Sequence, residues 1–303
     1  MERRLITAGV GCHYTEDMAA LVTIQPTTTS FDKAELQEKQ AILFASLRKL
    51  GRVIVAYSGG TDSAYLAWAA QQELGSGAIA ITADSASIPT SHKRAAEEFA
   101  AECGFRHEYI ETHEFDNPDY VKNDKNRCFH CKDELFQRLE AYAAEAGYDH
   151  IVYGVNADDL GDYRPGQQAA KLHEVKAPLV EAKLSKAEIR ELSRLAGLST
   201  WDKPAAACLS SRVPYGTPVT TETIRTIEQG EEAIRSLGFR QFRVRFHGDL
   251  VRIEIARDEL PLALSLEMAA AFARIFKELG FLYVTLDLEG YRQGSLNAAL
   301  RRS

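Results

Sequence analysis

The sequence has few cysteines, no long apolar run, no excess of positive charge, and no lysine where the commonest phosphate-binding loop carries one. Five cysteines, at positions 12, 103, 128, 131 and 208, are an odd number, which argues against a disulfide framework and leaves reduced thiols for metal binding or catalysis. No stretch nears the ~18 apolar residues that a membrane-spanning helix requires. The first 30 residues carry basic side chains but no continuous apolar core followed by small residues. A secretory leader is therefore not expected, and the cytoplasm is the expected compartment. Thirty-six basic against 43 acidic residues leave a net charge of −7. That argues against broad electrostatic binding of nucleic acid and favours a small-molecule substrate. Internal repeats and low-complexity blocks are absent too.

What is present is an alternation of short apolar runs with longer helical patterns. Residues 1–30 are read as a poorly ordered extension. The stretch "FDKAELQEKQAILFASLRKL" (31–50) predicts a helix stopped by Gly51, with Leu36, Ile42, Leu43, Leu47 and Leu50 at helical spacing. "RVIVAY" predicts the first strand, followed by a helix for which Thr61 or Asp62 can serve as cap. "GAIAITAD" and "RHEYIET" predict the next two strands, flanking a helix with Ser91 as cap and Gly104 as stop. "CKDELFQRLEAYAAEAG" is a third helix, "HIVYGVN" a fourth strand, and "SKAEIRELSRLAG" a helix with Ser185 and Glu188 as capping box. This pattern predicts a doubly wound α/β domain with a parallel sheet over 31–213. From about 214 the order changes to helix, hairpin, helix and strand, predicting a smaller α+β domain over 214–303.

Ligands of such sheets sit beyond the carboxyl ends of the strands, and there the sequence places "SGGTDS" (58–63). Gly59 and Gly60 permit a tight turn with close backbone approach, and the N–H groups opening the next helix favour an anion. Ser58, Thr61 and Ser63 add hydroxyls, and Asp62 is placed to orient them or to reach a magnesium ion. The stretch resembles the SGGxDS motif of the PP-loop, or N-type, ATP pyrophosphatases. That resemblance implies a site for the β,γ-pyrophosphate of ATP and transfer of AMP to a substrate oxygen, with the substrate left open.

Further motifs narrow the resemblance. "NRCFHCK" (126–132), "GVNADDLGDYRPG" (154–166), the long segment 177–216 around "AAACLSSRVPYG", and "RVRFHGDLVRIEI" (243–255) together resemble the LarE family of ATP-dependent sulfur transferases, which supply the pincer cofactor of lactate racemase. The likeness runs from about residue 31 to "LDLEGYRQGSLN". It implies that Ser58, Gly59, Gly60, Asp62, Ser63, Asp84, Asn156, Asp159 and Arg164 hold ATP and Mg2+. It also implies that Arg212, Arg243 and Arg245 hold a substrate phosphate, and that Cys208 is the nucleophile and sulfur donor. Family members with only the equivalent of Cys208 lose its sulfur and become dehydroalanine, whereas members with three cysteines carry a [4Fe-4S] cluster, here on Cys128, Cys131 and Cys208. The substrate implied is a pyridinium mononucleotide, and the assembly a homo-oligomer, by resemblance a hexamer.

Read without the family, Cys208 lies among small residues with Arg212 close in sequence, which suits a thiolate, although buried structural cysteines are commoner. The CxxC at 128–131, read as a loop before a helix, could be half a zinc site, a redox pair or cluster ligands. Asp158, Asp159, Asp162 and Arg164 could equally form a solvated loop. Arg243, Arg245 and Arg252 alternate on strands and so share a face able to grip an anion. Cys12 and Cys103 are expected to have no chemical role, and of the histidines only His130 and His247 lie near this chemistry. A PP-loop tRNA thiolase and a non-catalytic ATP-binding protein with structural zinc stand as alternatives.

Overall fold

The computed structural model describes residues 31–161, 165–204 and 207–292. Four strands, β1 (Val53–Ala56), β2 (Ala78–Asp84), β3 (His107–Glu111) and β4 (His150–Tyr153), form a sheet of order β3-β2-β1-β4, parallel throughout. Helices intervene: α1 (Lys33–Leu50) before β1, α2 (Thr61–Leu74) and α3 (Thr90–Cys103) along the first crossovers, then the short α4 (Pro118–Val121) and the long α5 (Arg127–Ala146). After β4 come α6 (Pro165–Leu172), α7 (Pro178–Glu181) and α8 (Lys186–Leu195).

Strand β1 is buried on both faces, as a central parallel strand must be. Val53 and Val55 join a core with Leu43 and Leu47 of α1, Ala64 and Tyr65 of α2, and Phe99 of α3. Ile54 and Ala56 point the other way, to Leu135, Phe136 and Leu139 of α5 and Ala169 of α6. Alternation of period two therefore distributes one strand between two helical layers. This is the doubly wound α/β arrangement the sequence predicts. Because β1 has β2 on one side and β4 on the other, the ends of β1 and β4 flank the point where strand order reverses.

The second sheet has order β5-β6-β7. Strands β5 (Phe242–His247) and β6 (Leu250–Ile255) pair antiparallel as a hairpin, and β7 (Tyr283–Leu286) joins β6 in parallel. Val244, Val251, Ile253 and Ile255 pack on α9 (Thr221–Ser236) and α11 (Leu266–Glu278), with α10 (Leu260–Ala263) between them in the chain. A Cβ on Gly230 of α9 would stand 2.6 Å from the Phe276 ring of α11, so a residue without a side chain lets the two helices meet. Tyr120, Leu209 and Val213 also belong to this core, which brings the cysteine-bearing segment against it.

Three local expectations are corrected. Helix α2 is capped by Gly60, with no side-chain cap; Thr61 is already its first helical residue. Helix α3 begins at Thr90 after Pro89, so Ser91 lies inside the first turn. Helix α5 begins at Arg127. Cys128 and Cys131 therefore lie on the opening turns of a helix and not in a loop before one, because the turn 123–126 starts it four residues early. The capping box of Ser185 and Glu188 on α8 is present.

Candidate active site

Residues 58–63 turn from β1 into α2. Gly59 takes φ +69°, and a Cβ there would meet Ala96 at 3.2 Å, so this position needs glycine on two counts. The Ser58 and Ser63 hydroxyls are 3.0 Å apart, and Ser63 Oγ also accepts from Ser58 N–H at 3.2 Å. With no side chain capping α2, the first-turn N–H groups stay open to an anion. Gly154, just after β4, closes on the same turn: a Cβ there would stand 2.6 Å from Ser63 N.

Asp62 is drawn into a network that sequence distance hides. Lys186 Nζ donates to both of its carboxylate oxygens at 2.9 Å, and Asn156 Nδ2 donates to Oδ2 at 3.3 Å. Asn156 N–H in turn donates to Asp159 Oδ2 at 3.2 Å. Asn156 and Asp159, both buried, thus join Asp62 at the junction of β1 and β4. Asp84, at the end of β2, pairs with Lys93 and is half exposed. Arg164, and with it Asp162, lies outside the described residues, as does Cys12.

A cavity of about 280 Å³ opens beside this turn, and Ser58, Cys128, Cys131 and Cys208 all line it. Topology supplies the three thiols from two places. Cys128 and Cys131 come from the start of α5. Cys208 precedes a short 3-10 turn, Leu209–Arg212, pinned to the connection after β2 by Leu209 N–H donating to Ser87 O at 2.8 Å. Buried Glu114 shares the cavity, accepting from the hydroxyls of Ser85 and Ser87. Burial first, then the negative charge of Glu114, pushes the Cys131 thiol well up. Arg127 also lines the cavity, buried and held by Asn123 Oδ1 at 2.5 Å and Ser210 O at 2.8 Å; it is a cation placed to favour thiolates. Cys103, on α3, packs against the sheet core, and burial raises its thiol to about 11.

Among the described residues, no three His, Cys, Asp or Glu side chains are drawn together around one metal ion. The three cysteines share a cavity without closing on a single point.

The arginines divide. Arg212 Nε and Nη2 donate to the two oxygens of Glu231 at 2.8 and 2.9 Å, and Nη1 donates to the carbonyls of Ala207 and Cys208 at 2.8 and 2.9 Å. This guanidinium holds the Cys208 backbone, and the residue also lines a cavity together with Lys203 and Arg243. Arg245 is buried, donating to Glu254 at 2.8 Å and to Ser211 O at 2.9 Å. Arg252 stands opposite Arg245 across the hairpin and pairs with Glu254. Arg243 lies over the Tyr291 ring and lines a second cavity of about 160 Å³ with Lys203, Arg235 and Arg240.

Sequence reasoning missed Arg127, Lys186, Lys203 and His92. His92 lines both cavities, and burial followed by the charges of Lys203 and Arg212 lowers it to about 4, leaving a neutral imidazole near pH 7. Arg127, Lys186 and Lys203 lie within the quoted motifs, but only chain topology shows that they reach the site.

Fold and site together define a doubly wound α/β protein with an anion-receptive turn at its switch point and a thiol-lined cavity beside it. No family model matches the chain. It is 43% identical over 267 residues to an uncharacterized protein of Synechocystis sp., covering 88% of this chain and 100% of the relative. It is 36% identical over 272 residues to the pyridinium-3,5-bisthiocarboxylic acid mononucleotide synthase of Lactiplantibacillus plantarum, covering 89% of this chain and 98% of that protein. An uncharacterized protein of Methanocaldococcus jannaschii is 31% identical over 172 residues, 57% of this chain and 66% of the relative. The chain belongs to the LarE family. Among the described residues, no helix is long and apolar enough to cross a membrane.

Proposed function

We propose that this protein is an ATP-dependent sulfur transferase that adenylates a carboxylate of pyridinium-3,5-biscarboxylic acid mononucleotide and converts it to a thiocarboxylate, releasing AMP and pyrophosphate. The observation that carries this reading is the shared cavity of Ser58 with Cys128, Cys131 and Cys208: an anion-receptive turn and three thiols open on one space. The relative from Lactiplantibacillus plantarum, named for the bisthiocarboxylic acid product, supports the substrate.

In this reading the N–H groups and hydroxyls of residues 58–63 receive the departing pyrophosphate, and Asp62, Asn156 and Asp159 are the residues that would hold Mg2+, which when bound would offset the phosphate charge. Adenylation is needed because a thiolate cannot displace oxide from a free carboxylate, whereas AMP leaves readily. Arg243, on the rim of the cationic cavity, takes the substrate phosphate, while Arg212 and Arg245 hold the frame. Cys128, Cys131 and Cys208 would hold a [4Fe-4S] cluster, which when bound supplies sulfide at an iron that no protein ligand occupies. Arg127 and Glu114 set the charge around these thiols, and Arg212 and Ser211 fix the Cys208 carbonyl, the latter through a 2.7 Å hydrogen bond.

The test is anaerobic reconstitution with iron and sulfide analysis, followed by intact mass after turnover with ATP and substrate. Expected are bound iron, pyrophosphate release, several turnovers with added sulfide, and an unchanged Cys208. An iron-free protein that turns over once and loses the elements of hydrogen sulfide from Cys208 would replace cluster-supplied sulfur by sacrifice of Cys208: thioester formation with loss of AMP, then cleavage of its Cβ–S bond. A protein that releases no pyrophosphate with any carboxylate would overturn the enzyme reading.

A further inference from the structure

The turn at 58–63 has no lysine of its own, yet the fold delivers two ammonium groups to it. Lys186 is engaged by Asp62, meeting both carboxylate oxygens. Lys203 is different. Its Nζ donates to Gly59 O at 2.9 Å, it is half-buried, and among the described residues it pairs with no carboxylate. An ammonium carries three donors, and the Gly59 carbonyl uses one. Burial lowers its pKa, an effect that a nearby anion would reverse.

The backbone around Lys203 is tied to the same turn. Thr61 Oγ1 donates to Thr200 O at 3.0 Å, and Arg190 donates to the carbonyls of Trp201 and Lys203 at 2.6 and 2.7 Å. Residues 200–204 thus form a strap clamped to the first turn of α2 and to α8. Cys208 follows a few residues later, its own carbonyl fixed by Arg212. Lys203 also lines the cationic cavity with Arg243, so one side chain borders both the anion turn and the proposed substrate-phosphate site.

We infer that Lys203 is a positioning residue that couples the nucleotide to the thiol. Its ammonium binds the β- and γ-phosphate oxygens of a nucleotide on residues 58–63, and through the 200–204 strap that contact sets where Cys208 stands. The inference rests on the ATP-binding reading proposed above and goes beyond it by assigning the lysine that the motif lacks.

The test uses the full chain, wild type, Lys203→Met and Lys203→Arg, with Mg2+ and an ATP analogue bearing a methylene bridge between the α- and β-phosphates. Affinity for the analogue and for AMP is measured by calorimetry, and Cys208 alkylation by iodoacetamide is followed by mass spectrometry. Expected in Lys203→Met is a loss of analogue affinity of roughly tenfold or more, the scale of a charge-assisted hydrogen bond, with AMP affinity unchanged and Lys203→Arg restoring most of the loss. The analogue should change the Cys208 alkylation rate in wild type and not in Lys203→Met. Equal analogue affinity in wild type and Lys203→Met would overturn the inference and leave the ATP reading standing, as would parallel loss of analogue and AMP, the mark of simple unfolding. Alkylation that responds to the analogue alike in both proteins would overturn the coupling. A wild type that binds no analogue would overturn the ATP reading itself, and this inference with it.

Discussion

The four-stranded sheet presents its reactive turn through backbone N–H groups and hydroxyls at a strand end, whereas the three-stranded unit carries full charges in its interior. Arg212 with Glu231, and Arg245 with Glu254, are pairs whose side chains are at most 7% exposed. On the first sheet, the Asp84–Lys93 pair lies partly in water, and the buried Arg127 and Glu114 line the cavity, bonded to neutral groups. The difference follows from the work each part does. A parallel sheet aims its helix termini at a ligand through the backbone, while the described residues around Cys208, whose regular structure is the short turn Leu209–Arg212, need an internal clamp. A buried ion pair supplies direction at a desolvation cost offset only when both partners are present.

The largest effect is expected where that clamp is broken. Glu231→Gln leaves the Arg212 guanidinium buried without its counter-charge and should lower stability by about 3–5 kcal/mol, read by urea unfolding. Replacing both partners by apolar residues, Arg212→Met with Glu231→Leu, should restore much of the stability. It should not restore fixed Cys208 chemistry, because the bond from Arg212 to the Cys208 carbonyl is gone. If Glu231→Gln unfolds at the wild-type urea concentration, the interior pair is not what holds this half together.

A smaller effect separates the two glycines of the turn. Gly59→Ala must take a left-handed backbone with its Cβ 3.2 Å from Ala96, a cost of about 1–2 kcal/mol, and the displaced turn should lose nucleotide affinity. Gly60→Ala has φ −80° and meets only Ser58 Oγ, at 3.4 Å, so its stability should stay within about 0.5 kcal/mol of wild type. Thermal unfolding of the pair distinguishes them; equal losses would remove the backbone argument for Gly59.

What could be read in the sequence divides along the same line. Strands β1 and β2 announce themselves because burial makes them continuous apolar runs, and "SGGTDS" because its glycines and hydroxyls are adjacent. The capping box at Ser185 was legible for the same reason, being local. Lys186 and Lys203 were not, since both follow the last strand of the first sheet and return to the turn after β1 only in the fold, and Arg127, though beside Cys128, shows its burial only there. Arg212 was read only as a partner for a thiol or a phosphate, because an arginine four residues from a cysteine suggests one, and its hold on the backbone was not legible. The carboxylate that claims it, Glu231, lies 19 residues further on, on a helix whose polar face gave no hint of pointing inward. The CxxC was displaced from loop to helix because α5 starts at the turn 123–126, before its apolar periodicity begins.

The smallest effect tests a partly exposed charge cluster on the first sheet's side, for contrast with the interior pairs. His173, just after α6, places Nε2 2.9 Å from Asp133 Oδ1 and Nδ1 3.0 Å from Glu140 Oε1, both on α5. Burial opposes its protonation, but the hydrogen bonds to the two carboxylates outweigh burial and raise its pKa above 6.5. A group whose folded pKa is raised stabilises fully below its unfolded value and loses that contribution as pH climbs through the folded value. His173→Gln should therefore cost on the order of 1 kcal/mol near pH 6, where the carboxylates are ionised and the imidazole is charged, and the difference should fade at alkaline pH, above the raised folded value. Urea unfolding at the two pH values measures it. A difference that does not change with pH would mean that His173 acts through its ring contact with Phe136, 6.0 Å between centroids, and that the charge pairing across α5 and α6 adds nothing.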